Sequence, residues 1–261
     1  MGEIKVEFAV QMKGEQWEKE VSEALKGAGQ LEIDNKQGRI IVHTKEPWYK
    51  LQEKIEQTGR KAVLAGFGGQ SAVSIINTTG SDVDRCPIQG VVRFTAIRND
   101  KPGLVVDGVV DGLTPGLHGI HIHESGDVSA GSASVGEHYN PRGSPHGSPE
   151  DDAQHRHAGD LGNIRADDSG RATFRFMDSI LEVYEIIGRS VVITQQPDDF
   201  GKGGNEQSKI DGNSGERIAC GIIARSAGIL QNFKKICACD GVTLWDERYK
   251  PLAGGTRAQK L

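Results

Sequence analysis

Residues 4 to 10 alternate Ile4, Val6, Phe8 and Val10 with Lys5, Glu7 and Ala9. That two-residue period predicts a half-buried strand. Trp17, Val21, Ala24, Leu25 and Ala28 then recur at helical spacing, and Gly29 ends the run. Leu31 to Asp34 and Arg39 to Thr44 read as two strands joined by the turn Asn35, Lys36, Gln37, Gly38. Pro47 opens a second helix that turns Trp48, Leu51 and Ile55 inward and stops near Gly59. A last short strand covers Lys61 to Gly66. The order βαββαβ predicts a ferredoxin-like α+β domain over residues 1–66.

Gly-rich residues 67–70 predict a linker. Over residues 71–228 the helical period disappears. Short β-rich runs such as Val91 to Phe94, Gly108 to Val110 and Val191 to Thr194 alternate with Gly, Asp, Asn and Pro turns. This is the pattern of an all-β Greek-key sandwich or barrel. Two long stretches, about 122–162 and 195–216, interrupt it, and loops of that length usually carry function. Residues 229–261 read as a C-terminal tail.

The formal net charge of −5 argues against a general nucleic-acid binder, which needs an excess of positive charge. No apolar run is long enough to predict a transmembrane segment. The charged start, Met1 to Glu7, does not read as a secretory signal. Four cysteines (Cys86, Cys220, Cys237 and Cys239) are too few for a disulfide scaffold, so a reducing, cytoplasmic setting is expected.

Seven of the eight histidines fall between positions 118 and 157. His121 and His123 share one face of a strand at i and i+2, so they can share an ion. Imidazole-rich sites suit zinc and copper, and an Asp as fourth ligand favours zinc. The run Gly119-Ile-His-Ile-His-Glu-Ser-Gly-Asp127 resembles the copper-ligand strand of the Cu,Zn superoxide dismutase family. The run Gly212-Asn-Ser-Gly-Glu-Arg-Ile-Ala-Cys-Gly221 resembles that family's second signature, and Asp198 to Gly204 its electrostatic loop. Residues 138–141 (His-Tyr-Asn-Pro) and 157–163 (His-Ala-Gly-Asp-Leu-Gly-Asn) fit between them.

The resemblance implies zinc held by His138, His146, His157 and Asp160, all present. It implies a copper corner of His121, His123 and His138 whose fourth histidine is replaced by Thr194. That leaves at most a residual copper site, and a structural role for the zinc-bearing domain. It makes Arg217 the residue that guides an anion and Asp198 the carboxylate linking the two metal sites. It also places Ser132 where the enzymes carry the disulfide partner of the cysteine matching Cys220. The intradomain disulfide is then expected to be absent, with Cys220 a buried thiol. His118 and His155 match no ligand and read as solvated loop residues. Cys86 reads as a packed thiol.

The whole-chain plan resembles the family of copper chaperones that serve superoxide dismutase, because of Ile236-Cys-Ala-Cys-Asp-Gly241 in the tail and the flanking runs 220–228 and 243–248. Two thiols at i and i+2 can chelate soft Cu(I), and Lys234 and Lys235 favour their thiolates. A disulfide across one residue is tight and therefore oxidising. The first domain departs from the family: Gly14 and Trp17 stand where its Met-x-Cys-x-x-Cys loop has cysteines, so only Met12 remains.

The expected function is docking on immature Cu,Zn superoxide dismutase as a heterodimer, Cu(I) delivery, and disulfide transfer through Cys237 and Cys239. Zinc is then structural and Cu(I) is cargo, and the same surface can form a homodimer. Two other readings are a superoxide dismutase with extra domains, and a zinc-binding interaction protein without transfer activity.

Overall fold

A computed structural model describes residues 3–77, 87–97 and 102–230. Cys86, Cys237 and Cys239 lie outside the described residues, as do Lys234 and Lys235.

The first unit consists of β1 (Ile4–Val10), α1 (Trp17–Ala24), β2 (Gln30–Asp34), β3 (Arg39–Thr44), α2 (Trp48–Glu56) and β4 (Ala62–Phe67). The sheet order is β2-β3-β1-β4, all antiparallel, the ferredoxin-like arrangement. Its core packs Val6, Phe8, Val21, Ile40, Leu51 and Ile55 between the sheet and both helices. Three details differ from the sequence reading. Helix α1 stops at Ala24, before Leu25 and Ala28, because Gly27 adopts a positive φ of 81° and turns the chain. Strand β1 is buried on both faces, since Glu7 is fully covered and Ala9 nearly so. Strand β4 runs through Phe67, a buried core residue, so the connection to the next unit is shorter than residues 67–70.

The second unit holds β5 (Ser71–Ile76), β6 (Gln89–Ala96), β7 (Leu104–Asp111), β8 (Gly116–His123), β9 (Asp160–Ala166), β10 (Ala172–Asp178), α3 (Val183–Ile186), β11 (Ser190–Thr194), α4 (Glu206–Asp211) and β12 (Arg217–Arg225). Its eight strands close into an antiparallel barrel in the order β10-β7-β6-β5-β12-β11-β8-β9. Closure removes exposed edges, and the interior is filled by Val92, Phe94, Val106, Ile120, Ile122, Ile164, Val191 and Ile193.

The two units are in contact. Val105 of β7 joins the first unit's core. The Arg93 guanidinium lies over the rings of Trp48 and Phe67, 5.5 Å from each centroid. Beside it Arg175 donates to Asp107 at 3.0 Å. Burial pushes the Asp107 carboxyl up to about 6 against the pull of Arg175 and Arg93.

Candidate metal centre

Strand β8 is the spine of the site. The loop that follows it returns twice to the same strand: Tyr139 N donates to Ile122 O at 2.8 Å, and Ile122 N donates to Gly159 O at 2.9 Å. Gly159 also donates to Tyr139 O at 2.9 Å. A side chain at Gly159 would strike the Ile122 carbonyl, so this crossing needs glycine. Because of these ties, His138, His146, His157 and Asp160 gather beside His121 and His123.

Three imidazole Nδ1 atoms converge on one carboxylate oxygen. From Asp160 Oδ1 the distances are 2.8 Å to His138, 3.1 Å to His146 and 3.2 Å to His157. His157 Nδ1 and His138 Nδ1 are 3.5 Å apart. A tetrahedral zinc with bonds of about 2.0–2.1 Å has ligand-to-ligand edges of about 3.3 Å. The four atoms therefore fit zinc with only small adjustment. His146 Nδ1 is buried and, despite its 3.1 Å approach to Asp160 Oδ1, has no well-aligned hydrogen bond among the described residues, as a lone pair aimed at a metal would.

On the other side of His138, the ligand atoms of His121, His123 and His138 lie within 4.8 Å of one another. His121 Nε2 donates to Asp198 Oδ2 at 2.9 Å, and His123 Nδ1 donates to the Gly136 carbonyl at 2.9 Å. Each bond fixes the tautomer and turns the opposite ring nitrogen inward. Those nitrogens, His121 Nδ1 and His123 Nε2, are buried and without a hydrogen-bond partner among the described residues. His121 and His138 stack at 4.1 Å.

Thr194, the residue expected at the fourth position, is buried at the end of β11, and its hydroxyl donates to Gln196 O at 3.2 Å. A neutral hydroxyl with its proton committed is a poor copper ligand. Arg217 is also engaged: it donates to Gly136 O at 2.9 Å, and its second nitrogen lies 3.3 Å from the Glu137 carboxylate. Ser132 Oγ donates to Arg217 O at 2.9 Å, while Cys220 is buried against Val135 and Val192.

Asp198 joins the two pockets, taking His121 on one oxygen and His146 on the other at 2.8 Å. Burial raises its pKa, but the two imidazoles win and hold it down to about 2. Asp160 behaves alike: burial opposes ionisation, and His138, His146 and His157 hold it well below the usual carboxylate range. Burial and then the neighbouring His121 push His138 down to about 3, and burial keeps His123 well below its usual value. For His146 burial works downward, but the carboxylates of Asp160 and Asp198 raise it.

Some supporting residues were not visible in the sequence. Asn163 clamps Asp198 from both sides: its Oδ1 accepts Asp198 N at 2.8 Å and its Nδ2 donates to Asp198 O at 2.9 Å. Arg156 is fully buried, donates to Asp160 O at 2.8 Å and pairs with Asp178 at 2.5 Å. Its place between two histidines was the available signal, read instead as part of a loop. His118 is a correction. It is not solvated but 1% exposed on β8, with Nδ1 2.9 Å from Thr194 O and Nε2 2.8 Å from Thr114 O. Its position on a barrel strand, facing the end of β11, buries it. His155, by contrast, is exposed and pairs with Asp152. In the first unit Met12 is largely exposed and Trp17 is buried at the start of α1.

This barrel and its histidine pocket define a protein of the copper/zinc superoxide dismutase type, and the pattern of that family matches residues 88–223. A solved structure of the clock protein EA4 superposes with a TM-score of 0.53 at 36% identity, covering 59% of this chain and 93% of that one. Over nearly its whole length the chain is 46% identical to the copper chaperone for superoxide dismutase of Sus scrofa and to that of Homo sapiens. Each alignment covers 97% of this chain and 92% of the relative. The chain belongs to the family of copper chaperones for superoxide dismutase.

Proposed function

We propose that this protein docks on an immature Cu,Zn superoxide dismutase subunit in the cytoplasm, delivers Cu(I) to it and promotes its intrasubunit disulfide. The similarity to chaperones of that name over 97% of the chain carries this reading. The incomplete copper corner, with Thr194 as its fourth position and Arg217 held by Glu137, supports it over a dismutase with extra domains.

Zinc bound by His138, His146, His157 and Asp160 has four protein ligands and no open position, so it fastens the long loop after β8 to the start of β9 and does no chemistry. Docking uses the barrel. Ile75 and Ile222 are exposed on the neighbouring strands β5 and β12 and offer an apolar face to a similar barrel, either a target subunit or a second copy.

The transfer falls to Cys237 and Cys239. As thiolates the pair carries Cu(I) as cargo. As a disulfide it oxidises the target: a target thiolate attacks one tail sulfur, and the other tail sulfur leaves as thiolate. The target's second thiolate then attacks its own mixed-disulfide sulfur. The target gains a disulfide, the tail becomes a dithiol, and two electrons pass from target to tail.

The test mixes Cu(I)-loaded protein with zinc-loaded, copper-free, disulfide-reduced superoxide dismutase and follows dismutase activity. Activity is expected only in the mixture, and not with Cys237→Ser/Cys239→Ser. Activity of this chain alone would make it an enzyme. No gain of activity in the mixture, with parent and double variant alike, would make it a zinc-binding partner without transfer, and full activity with the double variant would place the transfer outside Cys237 and Cys239.

A further inference from the structure

The first unit has lost the two cysteines of its copper loop, yet it is folded and built into the second. One contact gives it a task. Glu7, in the middle of β1, is fully buried. One carboxylate oxygen accepts Arg39 at 2.6 Å, and the other accepts the backbone N–H of Leu230 at 2.7 Å. Leu230 follows the barrel's last strand and is the last described residue before the Cys-Ala-Cys tail. The pairing of β1 with β4 slips between Glu7 and Phe8, an irregularity of the kind that re-aims side chains.

The same short segment is tied down at two more places. Ser226 N donates to Ser71 O at 3.0 Å, and Phe67 N donates to Ala227 O at 3.3 Å. Gly228 forms a parallel bridge with Phe67, on the edge strand β4. A side chain at Gly66 would collide with the Gly228 carbonyl, so the two backbones are in close contact. Residues 226–230 therefore lie along the free edge of the first unit's sheet, and the Glu7 carboxylate caps them at the point where the chain leaves.

We propose that Glu7 is a positioning residue for the Cys237/Cys239 reaction: with Arg39 it fixes the root of the tail, so the first unit acts as an anchor for the tail's thiols. This rests on the reading that the tail performs the transfer. Cys237 is seven residues beyond Leu230, a reach of at most about 25 Å. Cys239, nine residues beyond Leu230, reaches at most about 32 Å; a fixed root confines both thiols to these radii, which raises their effective concentration at a docked target. Releasing residues 226–230 enlarges the volume searched and leaves the sulfur chemistry unchanged.

The full chain, with Cys237 and Cys239 as their disulfide, is compared with three variants. Glu7→Gln turns an amide N–H toward one of two donors. Glu7→Leu/Arg39→Leu replaces the buried ion pair with apolar packing and leaves Leu230 N–H without its acceptor. A ten-residue Gly-Ser insertion after Leu230 leaves both units intact but lengthens the tether. Hydrogen exchange of residues 226–230 reports release. Reduction of the tail by glutathione reports its chemistry. Oxidation of disulfide-reduced superoxide dismutase reports positioning.

Both Glu7 variants are expected to exchange at least tenfold faster over 226–230. Glutathione should reduce them within twofold of the parent, and they should oxidise the target about three- to tenfold more slowly. The insertion should slow target oxidation about three- to fourfold with exchange unchanged. Continued protection of 226–230, an equal loss toward glutathione, or undiminished target oxidation would each overturn the proposal. If Cys237→Ser/Cys239→Ser oxidises the target as well as the parent, the tail reading fails instead, whatever the Glu7 variants do.

Discussion

Two pockets share His138, and they have diverged. On one side, three imidazoles and a carboxylate close around a point that suits zinc. On the other, His121, His123 and His138 gather without a fourth ligand among the described residues, and Thr194, the residue at the fourth position by the resemblance, donates its hydroxyl to a carbonyl. The second group offers one metal-binding side chain fewer than the first, and the consequence is chemical. Four protein ligands make a site that holds loops; three make a corner that cannot bind copper as firmly as four would. The dismutase-like barrel thus keeps a complete four-ligand group on one side of His138 and a three-histidine group on the other. Asp198 still links both sides, so the enzyme's framework outlasts its catalytic ligand set.

The comparison can be broken at several points. The largest effect is expected from Asp160→Asn, which removes the negative charge on which three histidines converge and sets an amide NH2 against either those imidazoles or the N–H groups of Gly147 and His157. Zinc affinity should fall by about a thousandfold in competition with a chromophoric chelator, and the zinc-dependent rise in Tm should vanish. His118→Ala takes away a buried ring that bridges the Thr194 and Thr114 carbonyls. It should destabilise the zinc-loaded protein by about 2–3 kcal/mol in chemical denaturation, and a cost under about 0.5 kcal/mol would return His118 to the surface. Asp198→Asn withdraws the acceptor that orients His121 and His146. Zinc should bind roughly 10- to 100-fold more weakly, the range for an outer partner of a metal-bound histidine.

Thr194→His sharpens the contrast by supplying the fourth imidazole. Cu(II) binding is expected to tighten about tenfold, with the visible spectrum changing and some dismutase activity appearing. A variant with the parent's spectrum would show that Thr194 is not what holds the corner open. The smallest effect belongs to His155→Ala. Its ring is exposed beside Asp152, so zinc affinity should stay within about twofold and stability within about 0.5 kcal/mol.

Much of the site could be read before any coordinates. His121 and His123 lie at strand spacing, and the zinc set follows a recognisable order. Thr194 is assigned to the fourth position from its spacing to the Asp198-Asp199 run, and that assignment rests on the resemblance alone. The supporting groups were not. His118 looked like a loop residue, although it belongs to β8 and is sealed by the end of β11. Arg156 and Asn163 carry no metal-ligand signature; they act on the backbones of Asp160 and Asp198, and the long-range contacts that place them, Arg156 with Asp178 and Asn163 with Asp198, depend on the closed barrel. Glu7 sat at a polar place in an alternating strand, which predicts exposure. It is buried because a segment more than two hundred residues away covers it.

What the sequence determined by itself was local: the two hydrophobic periods, the βαββαβ order, the turn glycines, and the residue types able to hold zinc or Cu(I). These follow from side-chain chemistry and from spacing over a few residues. The tertiary structure alone decided which faces were covered, which tautomer each histidine adopts, and where the tail is rooted. Those depend on burial and on hydrogen bonds between segments remote in the chain, set by barrel closure and by the packing of the first unit against it.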